Sequence, residues 1–233
     1  MKNYREEQRR YDSYTRHIHP IGITHAMRPK SIENVMNHIG YDKINGATIL
    51  EIGCGQGYLV NHFLYSGASK VVGTDITQQI LDTIPTDAYE VYRTNKQKVE
   101  FRLEDFEHTP NTSYKSFDII SMFIGTFKLV EKLYDLFLKN RSIHTIVFMV
   151  PVREFTTLKQ RIKEDANINR WTVGEFKINL AISGEQRQSM IIQRPPLEII
   201  DLTFENSGGG LFRRKKPFTK KRNKSKKKTF RKK

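Results

Sequence analysis

Glycine falls on alternate positions directly after a short apolar run, and this arrangement constrains the fold more than any other part of the chain. Residues 48–52 (Thr-Ile-Leu-Glu-Ile) predict a buried strand, and Gly53, Gly55 and Gly57 predict a tight turn at its carboxyl end. A Cβ in such a turn would forbid positive φ and keep a ligand away from the backbone. The free N–H groups of the turn and of the following helix can therefore hold a polar or anionic group.

An acid ends the second predicted strand at a spacing typical of nucleotide-binding folds. Residues 70–75 form another apolar run, which ends in Asp75, 22 residues after Gly53. An acid about 20 residues past a glycine loop hydrogen-bonds the ribose hydroxyls in nucleotide-binding α/β folds. The sequence therefore predicts a cofactor that contains a nucleoside.

The glycine spacing differs from the dinucleotide fingerprint, because the third glycine comes one residue earlier than in G-x-G-x-x-G. Glu51-x-Gly53-x-Gly55-x-Gly57 together with Asp75 resembles the class I S-adenosylmethionine-dependent methyltransferases. Two further runs extend the resemblance, which covers roughly residues 29–193. Residues 101–106 (Phe-Arg-Leu-Glu-Asp-Phe) resemble the third-strand motif of that family, and residues 117–123 (Phe-Asp-Ile-Ile-Ser-Met-Phe) resemble its fourth strand.

The resemblance implies a fold, a cofactor and a set of contacts. The implied fold is a doubly wound, seven-stranded, mostly parallel sheet, α/β and Rossmann-like, and the implied cofactor is S-adenosylmethionine. Glu51 would help to hold the methionine amino group, and Asp75 would bind the ribose hydroxyls. Asp105 would contact the adenine amino group, and the strand end at Phe123 would face the transferred methyl. The cofactor-binding residues expected in this way are Glu51, Gly53, Cys54, Gly55, Gln56, Gly57, Asp75, Ile76, Asp105, Phe106 and Phe123.

Strand-like runs alternate with helical stripes, which predicts a parallel sheet with right-handed crossovers. The predicted strands are residues 48–52, 70–75, 98–103, 117–123 and 144–150. Apolar stripes at helical spacing lie within residues 32–39, 59–64, 129–137 and 154–166. Residues 84–97 predict a loop, and residues 175–182 with 188–193 predict an antiparallel hairpin at the end of the sheet. Residues 197–205 predict one more strand or an edge segment.

The charge of the chain is unevenly distributed, and charge and composition together divide the chain into three parts. Residues 212–233 hold 14 Lys and Arg and no acid, whereas the rest of the chain holds 26 basic and 25 acidic residues. We therefore expect an N-terminal extension or acceptor-site lid at 1–28, a methyltransferase domain at 29–205, and a flexible glycine linker with a basic tail at 206–233. The tyrosines and histidines of 1–28 fit either a lid or a solvated extension.

The basic tail is expected to bind polyanions in a salt-dependent way and without sequence specificity. Its predicted nucleic-acid-binding residues are Arg213, Arg214, Lys215, Lys216, Lys220, Lys221 and Arg222. The same runs suit a nuclear-localisation signal, and a chromatin or membrane-surface anchor is a third interpretation. Phenylalanines 212, 218 and 230 are interleaved and could stack on unpaired bases.

The methyl acceptor is not encoded as clearly as the cofactor. Residues 121–125 (Ser-Met-Phe-Ile-Gly) depart from the Asp/Asn-Pro-Pro-Tyr/Phe motif of amino-methylating nucleic-acid enzymes, and Asp118 lies too early for a ribose 2′-O enzyme. We expect an enzyme that acts on nucleic acid, with RNA favoured. The alternatives are a protein (histone-like) lysine methyltransferase and a catalytically silent, methyltransferase-like nucleic-acid-binding subunit. The sequence assigns neither the catalytic residues nor the oligomeric state.

The remaining composition excludes several classes of protein. The single cysteine, Cys54, excludes an intramolecular disulfide and fits a reducing compartment, so we expect an intracellular protein of the nucleus or cytoplasm. Its position in the glycine turn indicates a small loop residue and not a nucleophile. The histidines lack metal-ligand spacing, which predicts no metal. No apolar run of 18 residues exists, so no membrane span is expected.

Overall fold

Seven strands form a single sheet in the order β3-β2-β1-β4-β5-β7-β6 in the computed structural model. The structure describes residues 29–84, 90–123, 126–151, 155–179 and 186–195. The strands are β1 Thr48–Ile52, β2 Lys70–Asp75, β3 Val99–Leu103, β4 Ile119–Met122, β5 Thr145–Met149, β6 Thr172–Asn179 and β7 Gln186–Gln193.

Helices connect most of the strands. The α-helices are α1 Pro29–Ile39, α2 Tyr41–Ile44, α3 Tyr58–Tyr65, α4 Gln78–Leu81, α5 Glu90–Thr94, α6 Phe127–Lys139 and α7 Phe155–Asn169. Two short 3-10 helices, Lys96–Lys98 and Asn111–Tyr114, lie before and after β3. None of the described helices is long and apolar enough to cross a membrane.

Strands β1 to β5 run parallel, and β7 then runs antiparallel to both β5 and β6. This confirms the predicted seven-stranded, mostly parallel α/β fold and its terminal hairpin. The strand order reverses between β1 and β4. Ligands of open α/β sheets bind beyond the carboxyl ends of the strands at such a reversal. We call the side of the sheet where β1–β5 end the carboxyl edge.

The core lies on both faces of the sheet, because alternate residues of a strand point in opposite directions. Ile49 of β1 packs with α1 and α3 on one face, whereas Leu50 packs with α6 and α7 on the other. The predicted helical stripes are buried on these faces, including Ile32, Val35, Met36 and Ile39 of α1. Glu51 has the same orientation as Ile49 and therefore points toward α3.

Helix α1 is fastened to the outer edge of β6. Ser31 Oγ accepts a hydrogen bond from the Asn179 N–H at 2.7 Å, and Asn34 donates to the Lys177 carbonyl at 3.0 Å. At the other end of the helix, Gln193 donates to the Ile39 carbonyl at 2.9 Å. Because Asn179 ends β6 beside the carboxyl edge, α1 begins at the carboxyl edge and ends near the opposite one.

Two predictions about local structure are wrong in part. The interval 84–97 contains α5 and part of a 3-10 helix, where the polar composition had predicted only a loop. A five-residue helix is too short to produce a recognisable apolar period. Strand β6 begins at Thr172, three residues before the predicted start. The prediction began too late because Gly174 interrupts the alternation of polar and apolar residues in the sequence. The predictions for residues 1–28, 197–205 and 206–233 lie outside the described residues.

Candidate functional site

The three glycines form the predicted turn, and each of them has positive φ. The φ angles are 69° at Gly53, 53° at Gly55 and 75° at Gly57. One backbone hydrogen bond closes the turn, from the Gly57 N–H to the Cys54 carbonyl at 2.9 Å, and a second joins the turn to β2, from the Cys54 N–H to the Thr74 carbonyl at 2.8 Å. Left-handed backbone at three alternating positions excludes most other residues, which explains the sequence pattern.

Gly55 and Gly57 are required for different reasons. A Cβ on Gly55 would meet no atom of the described residues within 4 Å, so this position opens into free space. A Cβ on Gly57 would lie 2.9 Å from the Tyr92 hydroxyl and 3.3 Å from the Phe101 ring. Gly57 therefore permits close packing inside the protein, whereas Gly55 leaves room for a ligand beside the turn.

Asp75 joins the end of β2 to the glycine turn. Its Oδ2 accepts a hydrogen bond from the Gly55 N–H at 3.1 Å, and its Oδ1 accepts one from the Thr77 N–H at 3.0 Å. The carboxylate is buried, and an ionised carboxylate can accept about four hydrogen bonds. Asp75 thus fixes the turn and retains acceptor capacity for a ligand such as a ribose diol.

Glu51 is a buried acid whose second oxygen lacks a partner in the described part of the chain. Its side chain is 5 % exposed, and the Val60 backbone N–H donates to its carboxylate. Oε2 is buried and accepts no hydrogen bond from the described residues. Burial raises the pKa of Glu51 well above its usual range, and the negative charge of Asp75 raises the pKa further. An acid in these surroundings favours a cationic partner.

These features fit S-adenosylmethionine, which carries an ammonium group and a sulfonium centre. The unpaired oxygen of Glu51 suits the ammonium group, the open space at Gly55 suits the body of the cofactor, and Asp75 suits the ribose. Three features support this fit: Glu51 Oε2 is buried without a partner among the described residues, a side chain at Gly55 would fill the space beside the turn, and Asp75 lies at the expected spacing.

Asp105 lies in the loop just beyond β3, and its side chain is exposed. Its Oδ1 accepts from the Glu107 N–H at 2.9 Å, and its Oδ2 lies 2.7 Å from His108 Nδ1. The hydrogen bond with His108 is the main cause that lowers the pKa of Asp105. Glu104, one residue earlier, instead accepts from the Tyr114 hydroxyl at 2.7 Å. Asp105 is therefore the acid of this pair that faces solvent.

Two large apolar side chains are exposed beside these acids. Ile76 is 69 % exposed directly after Asp75, and Leu103 is 57 % exposed and pairs with Asp75 in the sheet register. Exposed apolar surface next to polar groups at a sheet edge suits a flat aromatic ligand. Sequence reasoning selected Ile76 but missed Leu103, although its position at the end of β3 could have indicated it.

The other expected cofactor residues occupy less accessible positions. Phe106 and Phe123 are buried core residues near the ends of β3 and β4, and Gln56 is half-buried in the turn. Cys54 is buried, and desolvation followed by the charge of Glu51 raises the pKa of its thiol. A thiol that ionises so poorly is unsuited to nucleophilic attack, which agrees with its interpretation as a small loop residue.

Tyr92 and Lys132 contact the site, and sequence reasoning missed both. The Tyr92 hydroxyl donates to the Gly57 carbonyl at 2.8 Å, and the Tyr92 ring packs edge-on against Phe101. Lys132 of α6 donates to the carbonyls of Phe106, Glu107 and Thr109 in the loop that carries Asp105. Both contacts end on backbone carbonyls, which leave no mark in a sequence pattern.

The acceptor side of the site has fewer defining groups. Asp118 lies at the amino end of β4, where its Oδ2 accepts from the Thr48 N–H at 2.8 Å. It is therefore remote from the carboxyl edge, as its sequence position predicted. Within the described ranges, no cluster of His, Cys, Asp and Glu side chains could hold a metal ion.

Comparison with known proteins agrees with this geometry. A family model described as a methyltransferase domain matches residues 49–141, whereas no curated protein matches the chain in sequence. The fold resembles that of a dimethyladenosine transferase from Plasmodium falciparum, with a TM-score of 0.54, 20 % identity and coverage of 73 % of this chain and 63 % of that one.

Two other solved structures share the fold. Magnesium protoporphyrin IX methyltransferase from Synechocystis with bound S-adenosylmethionine has a TM-score of 0.52, 16 % identity and coverage of 71 % of this chain and 79 % of that one. The methyltransferase domain of a bacterial Hen1 has a TM-score of 0.51, 12 % identity and coverage of 70 % of this chain and 96 % of that one. Residues 49–141 thus match the methyltransferase domain family model, and the chain has the Rossmann-like α/β fold of these solved methyltransferases.

Proposed function

We propose that the chain is an S-adenosylmethionine-dependent methyltransferase that acts on nucleic acid, with RNA as the favoured acceptor. The observation that carries the proposal is the buried Glu51 Oε2, which lacks a partner among the described residues beside an open glycine turn. Leaving a buried carboxylate oxygen unpaired is costly, so a cation that completes its contacts gains affinity.

The residues around the turn have separate tasks in this proposal. Glu51 holds the ammonium group of the methionine part, Asp75 holds the ribose, and Asp105 accepts from the adenine amino group. When bound, S-adenosylmethionine supplies a methyl group on a positively charged sulfur. The protein holds that group in one orientation, so that a nucleophile from the acceptor can approach in line with it.

Nucleic acid is favoured as acceptor for two reasons. The basic tail would concentrate polyanions near a domain that is otherwise almost neutral. Among the proteins that share the fold, one is named as a dimethyladenosine transferase, although another is named for a porphyrin. The tail lies outside the described residues, and its role as an anchor is part of the proposal.

The first 28 residues are proposed as a lid over the acceptor side. Their support is the start of α1, which the Ser31–Asn179 hydrogen bond holds at the carboxyl edge of the sheet. Pro29, to which this segment is joined, therefore lies next to the edge where the methyl group would be transferred. If α1 began at the opposite edge of the sheet, the preceding residues would be joined to the domain far from this site.

Radiolabelled S-adenosylmethionine, incubated with the protein and separate pools of RNA, DNA and histones, tests the proposal. We expect most of the label in RNA. Label found only in histones would identify a protein as the methyl acceptor. Absence of cofactor binding in calorimetry would contradict the enzyme proposal altogether.

A pair of aspartate variants makes this test specific. Asp75→Asn should weaken cofactor binding by about 1–3 kcal/mol, since charge-assisted hydrogen bonds to a buried acid are lost. Asp82→Asn is the matched control, because Asp82 is an exposed acid that accepts only from the Gln78 side chain in the described structure. If both variants bind the cofactor and transfer methyl groups as well as the unmodified protein, Asp75 is not part of the cofactor site.

A further inference from the structure

Lys132 of helix α6 holds the backbone of the loop after β3, whereas Lys128 of the same helix contacts only the Glu107 side chain of that loop in the described structure. Lys132 Nζ donates to the carbonyls of Phe106, of Glu107 at 2.9 Å and of Thr109 at 2.6 Å. The ammonium group also lies 5.0 Å from the centre of the Phe106 ring. An ammonium group has three N–H donors, and here all three are used on one short segment of backbone.

The same segment determines where the Asp105 carboxylate points. The Asp105 carbonyl accepts from the Thr109 N–H at 2.9 Å and from the Thr109 hydroxyl at 2.7 Å. Its carboxylate accepts from the Glu107 N–H and contacts His108. Every one of these partners lies within residues 105–109, the stretch whose carbonyls Lys132 holds. Movement of the loop would therefore turn the carboxylate away from its present direction.

The surroundings of Lys132 contain more negative than positive charge. Glu104, Asp105 and Glu107 all act on the ammonium group through space, and the half-buried position of the lysine desolvates it. Holding a long, charged side chain in this position costs side-chain entropy and hydration. Three carbonyl hydrogen bonds and the nearby acids offset that cost, and their combined effect is a fixed loop.

We propose that Lys132 is a positioning residue for adenine recognition, which it controls by holding the 105–109 loop and thereby the Asp105 carboxylate. The inference rests on the proposed function, because it takes Asp105 as the acid that accepts from the adenine amino group. Lys132 itself need not touch the cofactor. Its effect should therefore be confined to the adenine end of the ligand.

Two ligands that differ only at the adenine test this confinement. S-adenosylhomocysteine has an exocyclic amino group that can donate to Asp105, whereas S-inosylhomocysteine has an oxygen there that cannot. We expect the unmodified protein to prefer the adenosyl ligand about tenfold or more, the range for one hydrogen bond to a charged group. Calorimetry with both ligands gives this ratio directly.

Lys132→Met should lower the preference for the adenosyl ligand toward one. Lys132→Arg should lower the preference for the adenosyl ligand in part, because a planar guanidinium cannot reach three carbonyls in the way an ammonium can. If Lys132→Met does not fold, Lys132→Arg replaces it in the test. The matched control is Lys128→Met, one turn earlier on α6. Lys128 is 73 % exposed and pairs only with the Glu107 side chain in the described structure, so its loss should leave the preference unchanged.

The possible results separate this inference from the proposed function. If the unmodified protein binds neither ligand, the proposed function fails and the inference fails with it. If the unmodified protein binds both ligands equally, Asp105 does not read the adenine and the inference alone is overturned. If Lys132→Met and Lys132→Arg weaken both ligands by the same factor, the lysine only stabilises the fold, and this result also overturns the inference.

Discussion

The phenol of Tyr92 donates a hydrogen bond of 2.8 Å to the carbonyl of Gly57, the last glycine of the turn. The same carbonyl accepts the Asn61 N–H at 3.0 Å and so begins the hydrogen-bond ladder of α3. Tyr92 is fully buried, and its hydroxyl lies 2.9 Å from the place where a Gly57 Cβ would be. A residue 35 positions away thus helps to set the conformation of the turn.

Replacing Tyr92 by phenylalanine should loosen the turn without emptying the core. The ring and its contact with Phe101 remain, whereas the hydrogen bond to the Gly57 carbonyl is lost. We expect the free energy of unfolding to fall by about 1 kcal/mol, the usual value of such a bond. Urea denaturation measures this loss, and calorimetry should show weaker binding of S-adenosylhomocysteine. Unchanged stability and affinity would mean that Tyr92 merely fills space.

Gly55→Val and Gly73→Ala should separate the ligand space from the packed core. At Gly55 the added side chain enters open space, and the positive φ costs about 1–3 kcal/mol, so the protein should fold but lose cofactor binding. At Gly73 the Cβ would lie 2.9 Å from Cys54 Sγ and 3.0 Å from the Phe101 ring, and overpacking costs about 1–3 kcal/mol.

Thermal unfolding and calorimetry on both glycine variants provide the measurement. A folded Gly73→Ala protein should bind the cofactor more tightly than Gly55→Val, because its new methyl group presses on Cys54 and Phe101 inside the core and leaves the space beside Gly55 open. Cofactor binding by Gly55→Val at the affinity of the unmodified protein would contradict the placement of the ligand beside Gly55.

The sequence was sufficient for the strands and for most of the glycine site, and the reasons are local. Strands β1 and β2 have the predicted bounds, because each is a short apolar run that ends at a glycine or an acid. The Gly55–Asp75 hydrogen bond also follows from the predicted order, since parallel neighbouring strands end at the same edge.

Other parts of the site could not be predicted from sequence patterns. Tyr92 and Lys132 act on backbone carbonyls, and a carbonyl is the same at every residue. Their contacts also span 35 and about 25 residues, so they exist only once the sheet has formed. The orphaned oxygen of Glu51 is likewise a property of burial, which an isolated acid in a sequence does not reveal.

Cofactor binding should release a proton from Glu51 in a range of pH set by its raised pKa. Burial disfavours the ionised form in the free protein, and a bound ammonium group favours it, so binding lowers the pKa. Affinity should therefore rise as the pH rises through the raised pKa, and proton release should be greatest between the bound and free pKa values.

Calorimetry in buffers of different ionisation enthalpy measures the released proton. Glu51→Gln should abolish the release and weaken binding, since the amide keeps the shape but not the charge. The same carboxyl should make the folded protein lose stability as the pH rises, because ionisation is easier in the unfolded chain. A proton release that persists in Glu51→Gln would assign it to another group.

The basic tail should be separable from the folded domain. Arg194, the last residue but one of the described chain, lies 4.4 Å from the Phe137 ring centre and 5.5 Å from that of Trp171. Its guanidinium donates to the carbonyls of Phe137 and Asn140 at the end of α6. A chain that ends near Gly208 keeps all of these contacts, so we expect its melting temperature and cofactor affinity to be unchanged.

The shortened chain should lose most of its affinity for RNA or DNA and the steep dependence of that affinity on salt. The physical reason is that 14 of the 40 basic residues lie in 212–233, and each phosphate that they neutralise releases counterions. A full-length variant with those lysines and arginines changed to glutamine is the matched control, because it keeps the length of the tail and removes only its charge. If the shortened chain and the glutamine variant both bind RNA or DNA as tightly as the unmodified protein across a salt titration, the polyanion site lies in the domain. Unfolding of the shortened chain would instead show that residues beyond 208 belong to the core.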